Sequence, residues 1–444
     1  MSDSIGQLTA FEAGSDPGAY RWKDLEPLWV DAMDQRFQEC RSKIVVLDRL
    51  ARDRGVDRIT KLTDVVPLLF AHSAYKSYPD AFIERNRWDR MNLWLSTLSK
   101  YPVEGIDLEG VTDADEWIAR LHRGGHYAFA TSGTSGKNSF LDQSASDVAF
   151  ANAIMIPRAL RGKARRPIFV LGPRHAPNRA SASFINLVEK YGREGAVYFL
   201  SDEPLRITDL SRMARMRRKI GEGTALPSEI AAFEQTIKGR QGAGQGMLEK
   251  ITDAILSHLD EPTLIVGLTP QLYSIVEAAR AKGIKPGSFH PDTIVVSGGG
   301  SKGANLPEDH LQQIREFMGM AYGNITQGYG MQEISTGVPS VEDGRHEWPA
   351  WVVPLLLDDS GETLNETRTG VVAGRLALFD VSIDGRWGGI ISGDRVTIDY
   401  DPSPRGRTAP AVTSIARYSE LQGGDDKLTC AGTIESYVRG AIDA

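Results

Sequence analysis

Five short apolar runs recur between residues 127 and 298: Tyr127–Ala130, Pro167–Gly172, Ala196–Leu200, Thr263–Gly267 and Thr293–Gly298. Runs this short, apolar throughout and bounded by Gly, Pro or Ser, are what strands buried on both faces require. The stretches between them, Ala145–Leu160, Ser181–Tyr191 and Pro270–Lys282, read as helices. Strands alternating with helices predict an α/β fold built on a doubly wound, mostly parallel sheet. At ~100–200 residues per domain, a chain of 444 residues holds more than one packed unit. Residues 1–120 read as a helical N-terminal region, because Trp22–Asp53 and Glu84–Leu98 keep apolar side chains at helical spacing. Residues 121–347 form the α/β core, within which 205–259 reads as a solvated helical insertion carrying Arg212, Arg215, Arg217, Arg218 and Lys219. Alternation in Arg375–Leu378 and Arg395–Tyr400 predicts a small β-rich subdomain over 348–444.

Charge and cysteine content remove several classes of function. Lys and Arg number 51 against 58 Asp and Glu, a net charge of -7, so no global field draws nucleic acid. Cys40 and Cys430, 390 positions apart, offer neither a disulfide framework nor a Cys-x-x-Cys metal pair. The first residues lack a basic and then apolar leader, and no apolar stretch reaches the ~18–20 residues of a membrane span. A cytoplasmic protein with no membrane partner is the expectation. His122 and His126 are four apart, but Gly124 and Gly125 lie between them and they read as loop residues, not metal ligands.

The loop after the first strand carries the chemistry. Thr131, Ser132, Gly133, Thr134, Ser135, Gly136 and Lys137 are consecutive. Two glycines let backbone N–H groups turn inward, and hydroxyls and an ammonium add donors, which together suit a polyphosphate. The Walker A spacing is absent, since Thr131 stands where its first Gly would be and Asn138 where its Ser or Thr would be. Gly-x-Ser-x-Gly is absent too. Gly298–Gly303 fits G-x-G-x-x-G after a strand and makes an NAD-dependent dehydrogenase a rival reading; the segment after Met320–Ile325 lacks the acidic residue that motif wants.

The 131–137 loop resembles the phosphate loop of the adenylate-forming superfamily, and further segments follow in that family's order. Ser297 with Gly298, Gly299 and Gly300 resembles its adenine-contacting loop; Gln327, Gly328, Tyr329, Gly330 and Glu333 resemble its Tyr-Gly-x-x-Glu segment; Ser392–Gly393–Asp394 resembles its Thr-Gly-Asp; Asp425–Gly432 resembles its hinge. Gly423 stands where the family has an arginine, for which Arg417 is the substitute. Only twelve residues follow Gly432, where the family continues into a mobile domain with a lysine, so the chain is similar to the truncated branch that includes acyl-protein synthetases, phenazine-pathway adenylating proteins and phenylacetate-CoA ligases.

The resemblance implies ATP-dependent activation of a small aryl or acyl carboxylic acid to an acyl-adenylate, then transfer to a thiol of coenzyme A or a carrier protein. It implies Thr134 and Lys137 on the phosphates, Glu333 as a Mg2+ ligand, Tyr329 on adenine, Asp394 on ribose, and Arg174, His175 and Gly328 near the acid. A homodimer is compatible with it. Within the class the alternative acceptor is Cys430, although Leu428–Ala431 reads as a short strand in which that cysteine is a core residue. Outside the class the alternative is a nucleotide-binding partner subunit.

Overall fold

The computed structural model describes residues 3–12, 19–131, 137–298, 304–340, 344–421 and 428–442. The chain opens with α1 (Ser4–Thr9), α2 (Trp22–Arg41), α3 (Val45–Arg54) and α4 (Leu62–Val65), then strand β1 (Phe70–Ala71), α5 (Asp80–Glu84), α6 (Trp88–Ser96) and α7 (Ala114–Arg123). Leu25, Trp29, Met33 and Phe37, four apart on α2, are buried, which gives that helix one apolar stripe. The stretch Trp22–Asp53, with its helical spacing, is two helices. Ile44 between them is extended and fully buried, so the chain turns there to insert it, and α3 then ends on Gly55 at φ 65°.

Tyr127–Ala130 does not join the main sheet. Its last two residues form β2 (Phe129–Ala130), which pairs antiparallel with β3 (Phe140–Leu141) as a small separate ribbon. Phe140 explains the placement: it packs on Trp117 at 5.2 Å and Tyr78 at 5.5 Å in the N-terminal aromatic cluster. Next comes α8 (Ala145–Ile154), started by a capping box between Ser144 and Asp147.

The main sheet comprises β4 (Arg166–Pro173), β5 (Gly192–Ser201), β6 (Leu264–Leu268), β7 (Ile294–Gly298), β8 (Ile325–Gly330) and β9 (Gly337–Pro339), in the order β5-β4-β6-β7-β8-β9. All neighbours are parallel except β8 and β9. Helix α9 (Arg179–Tyr191) covers one face against Ile168, Val170, Leu264 and Val266. After α10 (Ile207–Gly221), helices α11 (Pro227–Leu256), α12 (Thr269–Ala281) and α13 (His310–Met318) cover the other against Phe169, Leu171, Ile265 and Val295. Alternate residues of one strand thus enter two different cores, which is why the runs are apolar throughout.

The segment 205–259 is less of an insertion than its charges suggest. Ile207, Ser211 and Ala214 bury one face of α10, while Arg212 and Arg217 stay exposed. Ile251, Thr252 and Ile255 make the end of α11 the crossover helix between β5 and β6. The rest of α11 stands largely in solvent and contains Gly239, Gly242, Gly244 and Gly246, where an added Cβ would meet nothing within 4 Å.

The β-rich part is a sheet of β10 (His346–Glu347), β11 (Val352–Leu357), β12 (Val371–Asp380), β13 (Gly389–Asp399) and β14 (Ala411–Arg417), in the order β10-β14-β13-β12-β11, with β1 added parallel to β13. It shares one apolar core with the N-terminal helices. Trp29 Nε1 donates to the Ala350 carbonyl at 2.6 Å, and Arg36 Nε to that of Val381 at 2.9 Å.

Leu428–Ala431, expected as a strand, instead enters helix α14 (Thr429–Ile442). Ile434, Val438 and Ile442, four apart, are buried, a period a four-residue window cannot show. The helix lies on α3, α6 and β1, with Arg49 and Arg90 donating to the carbonyls of Tyr437 and Ile442 at 2.9 and 3.1 Å. Among the described residues no helix is long and apolar enough to cross a membrane. Because α14 is part of the core, Ile434→Ala should lower unfolding free energy by roughly 2–5 kcal/mol in urea denaturation. An unchanged midpoint would mean that α14 is not held there.

Candidate functional site

From β4 the chain crosses to β5 on one side, then returns past β4 to β6 on the other, over the opposite face. The carboxyl ends of β4 and β6 therefore part at a point where the winding reverses, and open sheets of this kind leave a crevice there. The crevice is present. A cleft of about 1580 Å3 is lined by the ends of β4, β6, β7 and β8 and is faced by Ser392, Gly393, Asp394 and Arg417 of the β-rich sheet. Its floor is close-packed: a Cβ on Gly267 would stand 2.5 Å from Leu171 Cδ1, so only glycine fits beneath that leucine.

Thr131, Gly298, Gln327, Gly328, Gly330, Glu333, Asp394 and Arg417 all line this cleft. Ser132, Gly133, Thr134, Ser135, Gly136, Gly299, Gly300, Gly423 and Asp425–Lys427 lie outside the described residues, as does the side chain of Cys430. Thr131 Oγ1 accepts from the Ser139 amide at 2.9 Å, which closes the base of the loop. Asp394 and Arg417 are register partners on β13 and β14, with Arg417 Nε 3.9 Å from Asp394 Oδ1. Asp394 is 8% exposed.

Three expected contacts take other positions. The ring of Tyr329 is not part of the cleft lining; it packs edge-on against Trp348, with centroids 6.2 Å apart, and its hydroxyl donates to Asp394 Oδ2 at 2.7 Å. Burial, then the Asp394 charge, push that phenol well above its ordinary pKa. Lys137 sits in a second, small hollow with Tyr78, Asp80 and Arg215. Its ammonium lies 4.2 Å from the Tyr78 ring centroid and 3.5 Å from Asp80 Oδ1, and burial lowers its pKa despite Asp80. Arg174 and His175 lie outside the cleft lining: Arg174 Nε donates to Asp202 at 2.7 Å with its guanidinium over the Phe199 ring, and His175 is exposed.

Sequence reasoning missed Arg179, four positions after His175. It is the first residue of α9, is 8% exposed and lines the cleft. Burial, reinforced by nearby Arg386, lowers its pKa to about 10. Asn178 as helix cap was the available signal, since it fixes where α9 starts, but nothing local marks the arginine as buried.

His122 and His126 have structural partners. His122 belongs to α7 and lies 3.1 Å from the Ala128 carbonyl; His126 Nδ1 is 2.8 Å from Asp142 Oδ2, and its Nε2 is 3.0 Å from the Pro102 carbonyl.

The fold and cleft define a class: an α/β chain whose site lies at the winding reversal of one sheet, roofed by a second sheet. Among solved structures the chain is similar to 2-hydroxyisobutyryl-CoA ligase in an open conformation with 2-HIB-AMP and CoA, at a TM-score of 0.57 and 12% identity, over 91% of this chain and 78% of that one. The same ligase in the thioesterification state matches at a TM-score of 0.55 and 12% identity, over 90% of this chain and 70% of the other. The chain thus has the fold of that ligase. No protein-family model matches the sequence, and neither does any curated protein.

His126 supplies a pH test. The hydrogen bond to Asp142 is the main reason its pKa is raised above the ordinary 6.5. A raised folded pKa gives stability that is complete below ~6.5 and is lost as pH climbs through the folded value. The melting-temperature gap between wild type and His126→Gln should therefore be wider at about pH 5.5 than at about pH 8.5. A gap that does not change with pH would show that the pair is not charged in the folded protein.

Proposed function

We propose that this chain is an ATP-dependent ligase that converts a small aryl or acyl carboxylic acid into an acyl-adenylate and passes the acyl group to the thiol of coenzyme A or a carrier protein. The convergence of Gly298, Gln327, Gly328, Glu333, Asp394 and Arg417, from four separate segments, on one cleft at the winding reversal carries this reading. The fold, shared with a ligase solved with an acyl-AMP and CoA, supports it. No observation favours hydride transfer.

In the reaction a carboxylate oxygen bonds to the α-phosphorus of ATP, the bond from that phosphorus to the bridging oxygen breaks, and pyrophosphate leaves with the electron pair. The thiol sulfur then bonds to the acyl carbon, the bond from that carbon to the phosphate oxygen breaks, AMP leaves with the electron pair and the thiol proton passes to solvent. Charge moves between phosphate oxygens, so fixed donors and cations around them lower the barrier. Asp394, acceptor-only when ionised and already oriented by Tyr329 and by its pairing with Arg417, suits vicinal ribose hydroxyls. Arg417, 65% exposed on its side chain, faces the same mouth with its charge available to phosphate. Mg2+ seeks oxygen donors, and the Glu333 carboxylate, on the cleft wall and hydrogen-bonded by none of the described residues, fits such an ion, which would neutralise phosphate charge. Lys137 would join the phosphates on leaving Asp80.

Acid-dependent pyrophosphate release across a panel of carboxylic acids, with hydroxylamine trapping of the adenylate, tests the reading. Asp394→Asn should raise the KM for ATP by roughly 10- to 150-fold, the range for a lost hydrogen bond to a charged group. Lys137→Ala should cut turnover ~100-fold. Glu333→Gln should mainly raise the Mg2+ requirement. If no acid elicits pyrophosphate, adenylation is wrong. Intact-mass measurement with the active acid and ATP should find Cys430 unmodified; a hydroxylamine-sensitive adduct absent from Cys430→Ser would instead make that cysteine the acceptor.

A further inference from the structure

The connection between β8 and β9, residues 331–336, is a hairpin loop, yet Ile334, Ser335 and Thr336 are buried, at 0%, 5% and 7% exposure. Loops of this kind normally run over the surface, where water satisfies their backbone groups. Buried N–H and C=O groups must find partners elsewhere. Here they find charged side chains from other parts of the fold. Arg179, from the start of α9, donates Nη2 to the Met331 carbonyl at 3.4 Å and Nη1 to the Ile334 carbonyl. Arg386, from the β12–β13 connection and 1% exposed, donates Nη2 to the Glu333 carbonyl at 2.7 Å. Asp380, at the end of β12 and 0% exposed, accepts from the Ser335 amide at 2.6 Å.

Three of the four carbonyls from 331 to 334 and the next amide are therefore fixed by two guanidiniums and one carboxylate. A further carboxylate fixes the backbone just ahead of Arg386. Asp147 on α8 accepts from the amides of Asp384 and Gly385 at 2.6 and 2.8 Å, and a Cβ on Gly385 would stand 2.9 Å from its Oδ2, so the approach needs glycine. Burying this much charge is expensive, and a fold gains little net stability from it over well-packed apolar groups. What such groups supply is direction, because a guanidinium donates along fixed lines in its plane.

We propose that Arg179 and Arg386 are positioning residues that hold the 331–334 turn so that the Glu333 carboxylate points into the cleft toward its metal. The assignment of a metal to Glu333 rests on the adenylation reading; the clamp on the turn does not. Neither arginine touches the reacting atoms in this role. Both act through the backbone of Glu333.

Arg386→Lys and Arg179→Lys keep the charge but lose the planar fork, so they separate direction from charge. Amide hydrogen exchange is the first readout. Residues 332–336 should exchange roughly tenfold faster in either variant, as expected for loss of one charge-assisted bond, while β4, β6 and β7 keep wild-type rates. Unchanged exchange in the turn, or acceleration spread evenly over the sheet, overturns the clamp. The second readout is the Mg2+ dependence of acid-driven pyrophosphate release at saturating ATP. Half-saturation should shift upward about tenfold in both variants, with the KM for ATP at saturating Mg2+ within about twofold of wild type. A fall in turnover with an unaltered metal requirement would overturn the link to Glu333. A wild-type protein that releases no pyrophosphate with any acid would remove the adenylation reading, and the exchange rates would still judge the clamp.

Discussion

A parallel sheet has to bury both of its faces, and nearly everything else in this structure follows from how the chain meets that demand. Helix α9 covers one side and α11, α12 and α13 the other, so the crossovers on either flank of β4 run over opposite faces. The reversal leaves the carboxyl ends of β4 and β6 without a helix above them. The resulting crevice is a by-product of covering the sheet, and the second sheet closes it from the far side with Asp394 and Arg417. The site is therefore a seam between two layers whose apolar cores are separate.

Seams of this sort have to be polar enough to take a charged ligand and stiff enough to keep their geometry. The chain meets the first need with Glu333, Asp394 and Arg417 on the walls. It meets the second with ionic groups behind the walls: Asp380, Arg386 and Asp147 are buried among backbone amides and carbonyls and are not paired on the surface. Asp147 shows the cost, since burial raises its pKa even though three backbone N–H groups bond to it.

Much of the fold could be read from local pattern. Four of the five apolar runs are parallel strands of the main sheet, because continuous apolarity over five or six residues has few other uses. The pattern misled where the window was short or a break was silent. Tyr127–Ala130 is drawn off by Phe140 into the aromatic cluster, Leu428–Ala431 is too short to show the period of α14, and the turn at Ile44 interrupts α2 and α3 without a Gly or Pro. In the site, the residues found from sequence belong to compact motifs. Arg179 and Arg386 belong to none. Arg179 is defined by carbonyls 152 and 155 positions away, a relation with no local trace. The ring of Tyr329 illustrates the converse, since its motif was legible and its direction was not, being decided by Trp348 and Asp394.

Helix α11 spans 30 residues, yet its buried residues lie in the last two turns. The glycines ahead of them each weaken the helix by about 1 kcal/mol relative to alanine, and the stretch is tied to α10 by exposed polar contacts such as Arg240 with Asp209 at 3.7 Å. That stretch is the natural place for a protease to enter. A cut there would sever the covalent path from β5 to β6 but not the sheet, because both strands are hydrogen-bonded to β4. The two fragments would stay assembled around an intact cleft, so the chain carries within one helix a built-in point at which it can become a two-piece protein.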